Sequence, residues 1–210
     1  MKQLYKGRLE VVCGSMFSGK TEELLRRLKR AEYAKKNVLT LKHHLDNRAS
    51  YTCIASHNGQ KREAFPMGGS TARINKILEL AQDDVDVLGI DEIQFFPKNI
   101  VDVVKELIDM GKTIIVSGLD MDFRGEPFGI MPTLLALADN ITKLKAICVI
   151  CGKEAHNTQR IINGMPAKYD DPIILVGASE CYEARCRDCF VMKKDPMKVH
   201  TPQTQTIAQI

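Results

Sequence analysis

The chain has 210 residues, of which 44% are hydrophobic and 27% charged, the balance of an ordinary soluble globular protein with one good core and a small appendage. A formal net charge of +4 is too mild to demand an anionic partner: a nucleotide fits, and a large nucleic-acid surface is not required. No apolar run reaches the length of a membrane span and residues 1–8 lack a signal-peptide core, so the sequence predicts a cytosolic protein with no membrane partner.

Residues 9–13, LEVVC, form an apolar, β-leaning run that leads into Gly14, Ser15, Met16, Phe17, Ser18, Gly19, Lys20 and Thr21, then into an amphipathic helix reaching about Lys36. This G-x-x-x-x-G-K-[ST] loop between a strand and a helix is the context of a phosphate-binding P-loop. Its glycines let successive backbone N–H groups turn toward a polyphosphate, and the helix start adds partial positive charge. Lys20 would reach the outer phosphates and the Thr21 hydroxyl would ligate magnesium.

Residues 37–42 read as a second buried strand ending in a polar loop. Short strands are expected at 51–55 and 63–65 around the turn Asn58-Gly59. Helical periodicity follows at 71–82, a third strand at 85–90, a helix at 99–110 stopped by Gly111, and a fourth strand at 113–117. A short helix is expected at 131–138 and a last core strand at 141–149. Strands alternating with helices predict a mostly parallel α/β sheet whose ligands gather at the carboxyl ends of the strands. Thr21, Arg48, Asp91, Glu92 and Asp120 all fall just beyond such ends. Past residue 148 the texture changes to hairpin strands at 152–157 and 172–177. The expected division is a P-loop core over 1–147, a small zinc-binding, β-rich domain over 148–192, and a polar tail over 193–210 without periodicity, predicted to be disordered.

Asp91-Glu92 at a strand end is the expected partner of the P-loop metal site, with Asp91 near the magnesium and Glu92 left over. A carboxylate in that place can act as general base on water, giving an ATPase, or on a substrate hydroxyl, giving a kinase. Cys148 and Cys151, then Cys186 and Cys189, form two C-x-x-C pairs, which together complete a closed, structural zinc site that clips the base of a long excursion of chain. Cys13, Cys53 and Cys181 have no paired neighbour and read as small packed residues. Phe95, Phe96 and Phe123 follow strand ends, where an aromatic face could stack on a base. The basic pairs Arg26-Arg27, Lys29-Arg30 and Lys35-Lys36 read as a solvated helix face, and the histidines as packing or surface residues.

Taken together, GSMFSGKT at 14–21, DNR at 46–48, DEIQFF at 91–96, GLDMDF at 118–123 and the two cysteine pairs, with Tyr182 just before the second, resemble the type II thymidine kinases over about residues 8–190. The resemblance implies a RecA-like P-loop core with a zinc-tethered lasso, assembled as a homotetramer. It also implies transfer of the ATP γ-phosphoryl group, with magnesium, to the 5′-hydroxyl of thymidine, and by extension of deoxyuridine, in nucleoside salvage for DNA synthesis. Glu92 matches the family's general base, Lys20 and Thr21 its phosphate and magnesium residues, and Asp46 and Arg48 a loop whose arginine helps hold the phosphates. The base would lie among Met16, Leu119, Phe95, Phe123, Thr158 and Tyr182, with Gln94 nearby. Backbone groups of Val176, Gly177, Ala178 and Ser179 would meet the pyrimidine edge, because N–H and C=O groups bind it without any special side chain. Departures are Ala49 and His43, where the family often has an aromatic and a proline, and Ile93, bulkier than usual; the first two bear on the conformation of the 43–49 loop. The alternative from another class is a zinc-ribbon, nucleic-acid-dependent ATPase.

Overall fold

The computed structural model describes residues 7–44, 52–55, 59–68, 71–81, 84–174 and 180–192. Arg48, Val176, Gly177, Ala178, Ser179 and the tail lie outside them, so the expectations placed there do too.

The first part of the chain alternates as its hydrophobic pattern dictates: β1 (Arg8–Gly14), α1 (Lys20–Tyr33), β2 (Val38–His43), β3 (Cys53–Ala55), β4 (Lys61–Glu63), β5 (Phe65–Met67), α2 (Thr71–Leu80), β6 (Val87–Asp91), α3 (Ile100–Asp109), β7 (Thr113–Gly118), α4 (Met131–Leu137) and β8 (Asn140–Leu144). Six strands form one sheet in the order β5-β2-β6-β7-β1-β8, every pair parallel. Interior strands of a parallel sheet are covered on both faces, which is why β1, β6 and β7 read as near-continuous apolar runs. Leu9, Val11, Leu41, Ile90, Ile114 and Val116 pack on one face against Ile77, Val104 and Leu107 of α2 and α3. Leu24, Leu25 and Leu28 of α1 pack on the other, with Ile54, Val87 and Ile115. Gly89 in β6 admits α1 closely, since a Cβ there would lie 2.6 Å from Leu28 Cδ1.

The chain then builds β9 (Ala146–Ile147), β10 (Glu154–Ala155), β11 (Asn157–Ile162), β12 (Met165–Pro166) and β13 (Glu180–Arg185). β9 pairs with β10, and β11 lies between β12 and β13, all antiparallel. The fold is therefore α/β, with a parallel P-loop-like sheet and a β-rich part beside a four-cysteine cluster.

Several expected boundaries are corrected. The strand expected at 141–149 is two strands that part at Lys145: β8 ends on β1, and β9 turns away to pair with β10. β8 is also an edge rather than a core strand, with Ile141 half exposed. α1 stops at Tyr33, not near Lys36, because Lys35 turns left-handed at φ 61° and donates back to Glu32 O. Residues 172–174 are not in a strand: Pro172 has no N–H for a ladder, and β11 pairs instead with β13. Cys181 is exposed rather than packed.

α1 is pinned to the sheet by Arg27, which reaches Glu10 of β1, Glu23 on its own helix and Thr142 of β8 at 2.7 Å each. The guanidinium of Arg26, then that of Arg27, holds the Glu23 carboxyl down at about 2. A depressed carboxyl contributes stability that is complete above its unfolded value near 4.5 and is lost as pH falls through about 2. Glu23→Gln is accordingly expected to lower stability by about 1 kcal/mol at neutral pH, a screened figure for a near-surface pair, and to cost nothing at pH ~2; urea unfolding at both pH values checks it.

Candidate active site

The carboxyl ends of β2, β6, β7 and β1 lie side by side, and the described loops that leave β1, β6 and β7 carry residues singled out in the sequence. Gly14 closes β1 at φ 145°, where a Cβ would sit 2.3 Å from the Leu144 carbonyl oxygen. Gly19 precedes α1 at φ 85°, and Phe17 is left-handed at φ 65°. The loop is held from within: Ser18 Oγ donates to Ser15 O at 2.8 Å, and Lys20 Nζ reaches the same carbonyl at 2.7 Å. Gly14→Ala is expected to abolish ATP binding even where the protein folds, because the clash is with backbone and strain is added by the positive φ; equilibrium nucleotide binding checks this.

Asp91, at the end of β6, lies opposite the P-loop. Its carboxylate accepts the Thr21 hydroxyl at 3.1 Å through one oxygen, and the Ser117 hydroxyl at 2.5 Å and the Glu92 N–H at 3.1 Å through the other. An alcohol and a carboxylate in direct contact are the hard oxygen donors that magnesium takes. Glu92 sits next to them in a left-handed conformation, φ 54°, opening a single 3₁₀ turn over Ile93–Phe95. Its buried carboxylate accepts from Gln94 Nε2 at 2.6 Å, while Gln94 Oε1 accepts from Leu119 N–H at 3.1 Å. The backbone donor at Leu119 settles which way the amide faces, so its NH₂ must point at Glu92.

Aromatic residues surround this corner. Phe95 is half-buried and meets Phe128 edge-on at 5.6 Å, whereas Phe96 turns into the core and packs on His43. Phe123, beyond β7, lies beneath the Arg160 guanidinium at 4.0 Å. Buried Asp120 pairs with Lys143 of β8 at 2.8 Å.

The β-rich part touches the P-loop directly. Met16 N–H donates to the buried Thr158 hydroxyl at 3.0 Å, and Ser15 Oγ to Ala155 O at 3.4 Å. Tyr182, directly across from Arg160 in the β11–β13 ladder, accepts the Arg160 Nε–H on its hydroxyl oxygen at 3.1 Å.

Cys148, Cys151, Cys186 and Cys189 bring their sulfurs within 4.8 Å of one another. Each pair rides a tight turn, with Gly152 N–H on Cys148 O at 2.9 Å and Cys189 N–H on Cys186 O at 3.2 Å. Four cysteine sulfurs and no oxygen ligand form a soft, closed donor set suited to structural zinc. Burial opposes ionisation of Cys148, but N–H donors from Cys186, Cys151 and Ile150 outweigh it and draw the thiol down to about 6. Cys189 is pushed up to about 12 by the Cys186 and Cys151 sulfurs, so the cluster shares its protons unevenly. Outside it, burial and Asp120 raise Cys13 to about 11, which makes that thiol inert.

A sequence model of the family described as Thymidine kinase matches residues 7–190, nearly the whole chain. The chain belongs to the thymidine kinase family. Thymidine and ATP are the substrates that follow, and thymidine is what is phosphorylated. In this thymidine kinase the P-loop, Asp91, Glu92, Gln94, Phe95, Leu119 and Phe123 follow the carboxyl ends of β1, β6 and β7, with Thr158 bonded to the P-loop and Tyr182 joined to Phe123 through Arg160. Ser117 and Arg160 are the contributors that motif reading passed over. Ser117 ends an ordinary apolar strand. Arg160 sits in the NTQRII stretch, where a basic side chain is taken for a solvated one, although its position directly opposite Tyr182 emerges only from pairing.

Proposed function

We propose that Glu92 is the general base of thymidine phosphorylation in this chain. Gln94 turns its carboxylate toward the crevice, where the nucleoside 5′-hydroxyl is placed. The hydroxyl proton passes to Glu92, the freed oxygen bonds to the γ-phosphorus, and the bond to the β,γ-bridging oxygen breaks, releasing ADP. Lys20 and the N–H groups of residues 14–21 hold the phosphates, assisted by Arg48. Thr21 and Asp91 hold magnesium, which when bound draws negative charge from the phosphate oxygens. The base lies among Met16, Leu119, Phe95, Phe123, Thr158 and Tyr182, covered by backbone groups of residues 176–179. Thymidine and deoxyuridine differ by one methyl, so both are accepted. The observation that carries this reading is the Gln94 bridge, which ties the carboxylate of Glu92, next in sequence to the Asp91 that pairs with Thr21, to the Leu119 N–H.

The four-cysteine cluster holds structural zinc at the base of a lasso over 148–192, set on a P-loop core over 1–147. No helix among the described residues is long and apolar enough to cross a membrane. The exposed β8 edge leaves surface for the homotetramer that the resemblance implies. A nucleoside panel tests the proposal. Thymidine and deoxyuridine should be phosphorylated with Mg-ATP at comparable kcat, and deoxycytidine and purine nucleosides poorly. A purine turned over as fast as thymidine would refute the pocket assignment.

A further inference from the structure

Phe190 directly follows Cys189, and its half-buried ring lies against Gly125, in the turn that carries Phe123 beyond β7. We infer that Phe190 is a positioning residue: it transmits the placement of the four-cysteine cluster to Phe123, and so sets thymidine affinity. This deepens the reading that Phe123 lines the nucleoside pocket, and rests on it.

Both sides of the contact are fixed by directed bonds. Phe190 N–H donates to Cys186 O at 3.0 Å, the carbonyl that also takes Cys189 N–H at 3.2 Å, so the ring springs from the cysteine turn itself. One residue on, Val191 N–H donates to Oε1 of the buried Gln159 at 2.8 Å, which ties the chain to β11. The turn opposite is equally well braced. Asp122, 3% exposed, accepts the Arg124 and Glu126 N–H groups at 2.8 and 3.1 Å through one oxygen, and Arg124 Nε at 2.9 Å through the other. Asp122 N–H donates to Glu126 O at 2.9 Å, and Gly125 N–H to Asp122 O at 3.0 Å. A turn bonded in this way moves as one body, so a shift at Gly125 carries Phe123 with it. Gly125 serves the contact twice: it takes the left-handed φ of 78° that the turn requires, and without a Cβ it lets a flat ring approach. A Cβ there would meet Phe190 Cε1 at 3.4 Å and Cζ at 3.7 Å. Phe123 belongs to neither hydrophobic cluster of the parallel sheet. Its place is set instead from the β-rich part, by Phe190 on the turn and by the Arg160 guanidinium 4.0 Å from its ring.

The test uses the zinc-loaded enzyme with Phe190→Ala. Thymidine KM is expected to rise ~5-fold or more, the weight of a lost ring contact, with ATP KM and kcat within about twofold and zinc content unchanged. Equilibrium thymidine affinity, measured without ATP, should fall by the same factor. Unchanged thymidine affinity in the folded, metal-loaded variant overturns the proposal. A rise in both KM values, or loss of zinc, overturns it too, since either makes the ring a support of the fold or of the cluster rather than of Phe123. Should Phe190→Ala fail to fold, Phe190→Leu decides: it keeps most of the apolar volume without the flat ring, so thymidine KM alone is expected to rise about threefold or more, and no rise overturns the proposal. Phe123→Ala separates this from the pocket reading. An unchanged thymidine KM in that variant refutes the pocket, whereas a raised KM there beside unaffected Phe190 variants refutes only the role of Phe190.

Discussion

Glu92→Gln is expected to lower kcat for thymidine by ~10²- to 10⁴-fold, the usual weight of a positioned base, while ATP KM stays within about twofold. Glutamine has the same shape and can still accept the Gln94 Nε2 hydrogen bond, so the 2.6 Å contact and the local fold persist and only the proton acceptor is lost. Asp91, Thr21 and Lys20 are untouched, which is why nucleotide binding should survive. Steady-state kinetics on the variant check this, and unchanged turnover would remove Glu92 from the mechanism. The Gln94 bridge gives a finer version. Gln94→Glu places a second carboxylate against Glu92, the two then hold one proton between them, and the acid limb of the pH–rate profile is expected to move to higher pH.

Removal of the metal is expected to raise thymidine KM by at least ~10-fold before the sheet unfolds. Structural zinc contributes on the order of 10 kcal/mol in small zinc domains, comparable to the whole stability of many folds, so nothing local replaces it. The cysteines fasten β9, β10 and β13 to one point, and β13 carries Tyr182. The parallel sheet keeps its own two-sided core, with no cluster sulfur in it, and should survive. Because Ser15 and Met16 are tied to β10 and β11, ATP KM should rise too, though less. Ligand thiols must lose protons to bind metal, so a chelator is expected to strip it faster at pH 6 than at pH 8. Thymidine kinetics after chelation and repurification, with circular dichroism on the same sample, check both parts. Undiminished thymidine affinity in metal-free protein would contradict the clip.

What could be read from the sequence was what lies close along it. The P-loop, the Asp91-Glu92 pair and both C-x-x-C turns are short, and each fixes its chemistry within a few residues. Strand and helix periods placed the parallel sheet because buried strands and amphipathic helices differ in spacing. The partners of those groups were not legible. Ser117 on Asp91, Leu119 N–H on Gln94 and Thr158 on Met16 are set by strand order and register, which no local pattern encodes. The break at Lys145 and the irregular path at 172–174 likewise follow from pairing with distant strands. Arg160 is the clearest case, since charge in a strand pattern suggests solvent and only the assembled ring, hydroxyl and carbonyls around it explain its burial.

The most direct test of Glu92 as a base for a nucleoside hydroxyl is the partition of labelled γ-phosphate between thymidine and water, counted in one tube with Mg-ATP, with and without DNA or RNA. The account predicts label on thymidine with little free phosphate, and no response to nucleic acid. Free phosphate as the main product, raised by nucleic acid, would make Glu92 a base for water and contradict it.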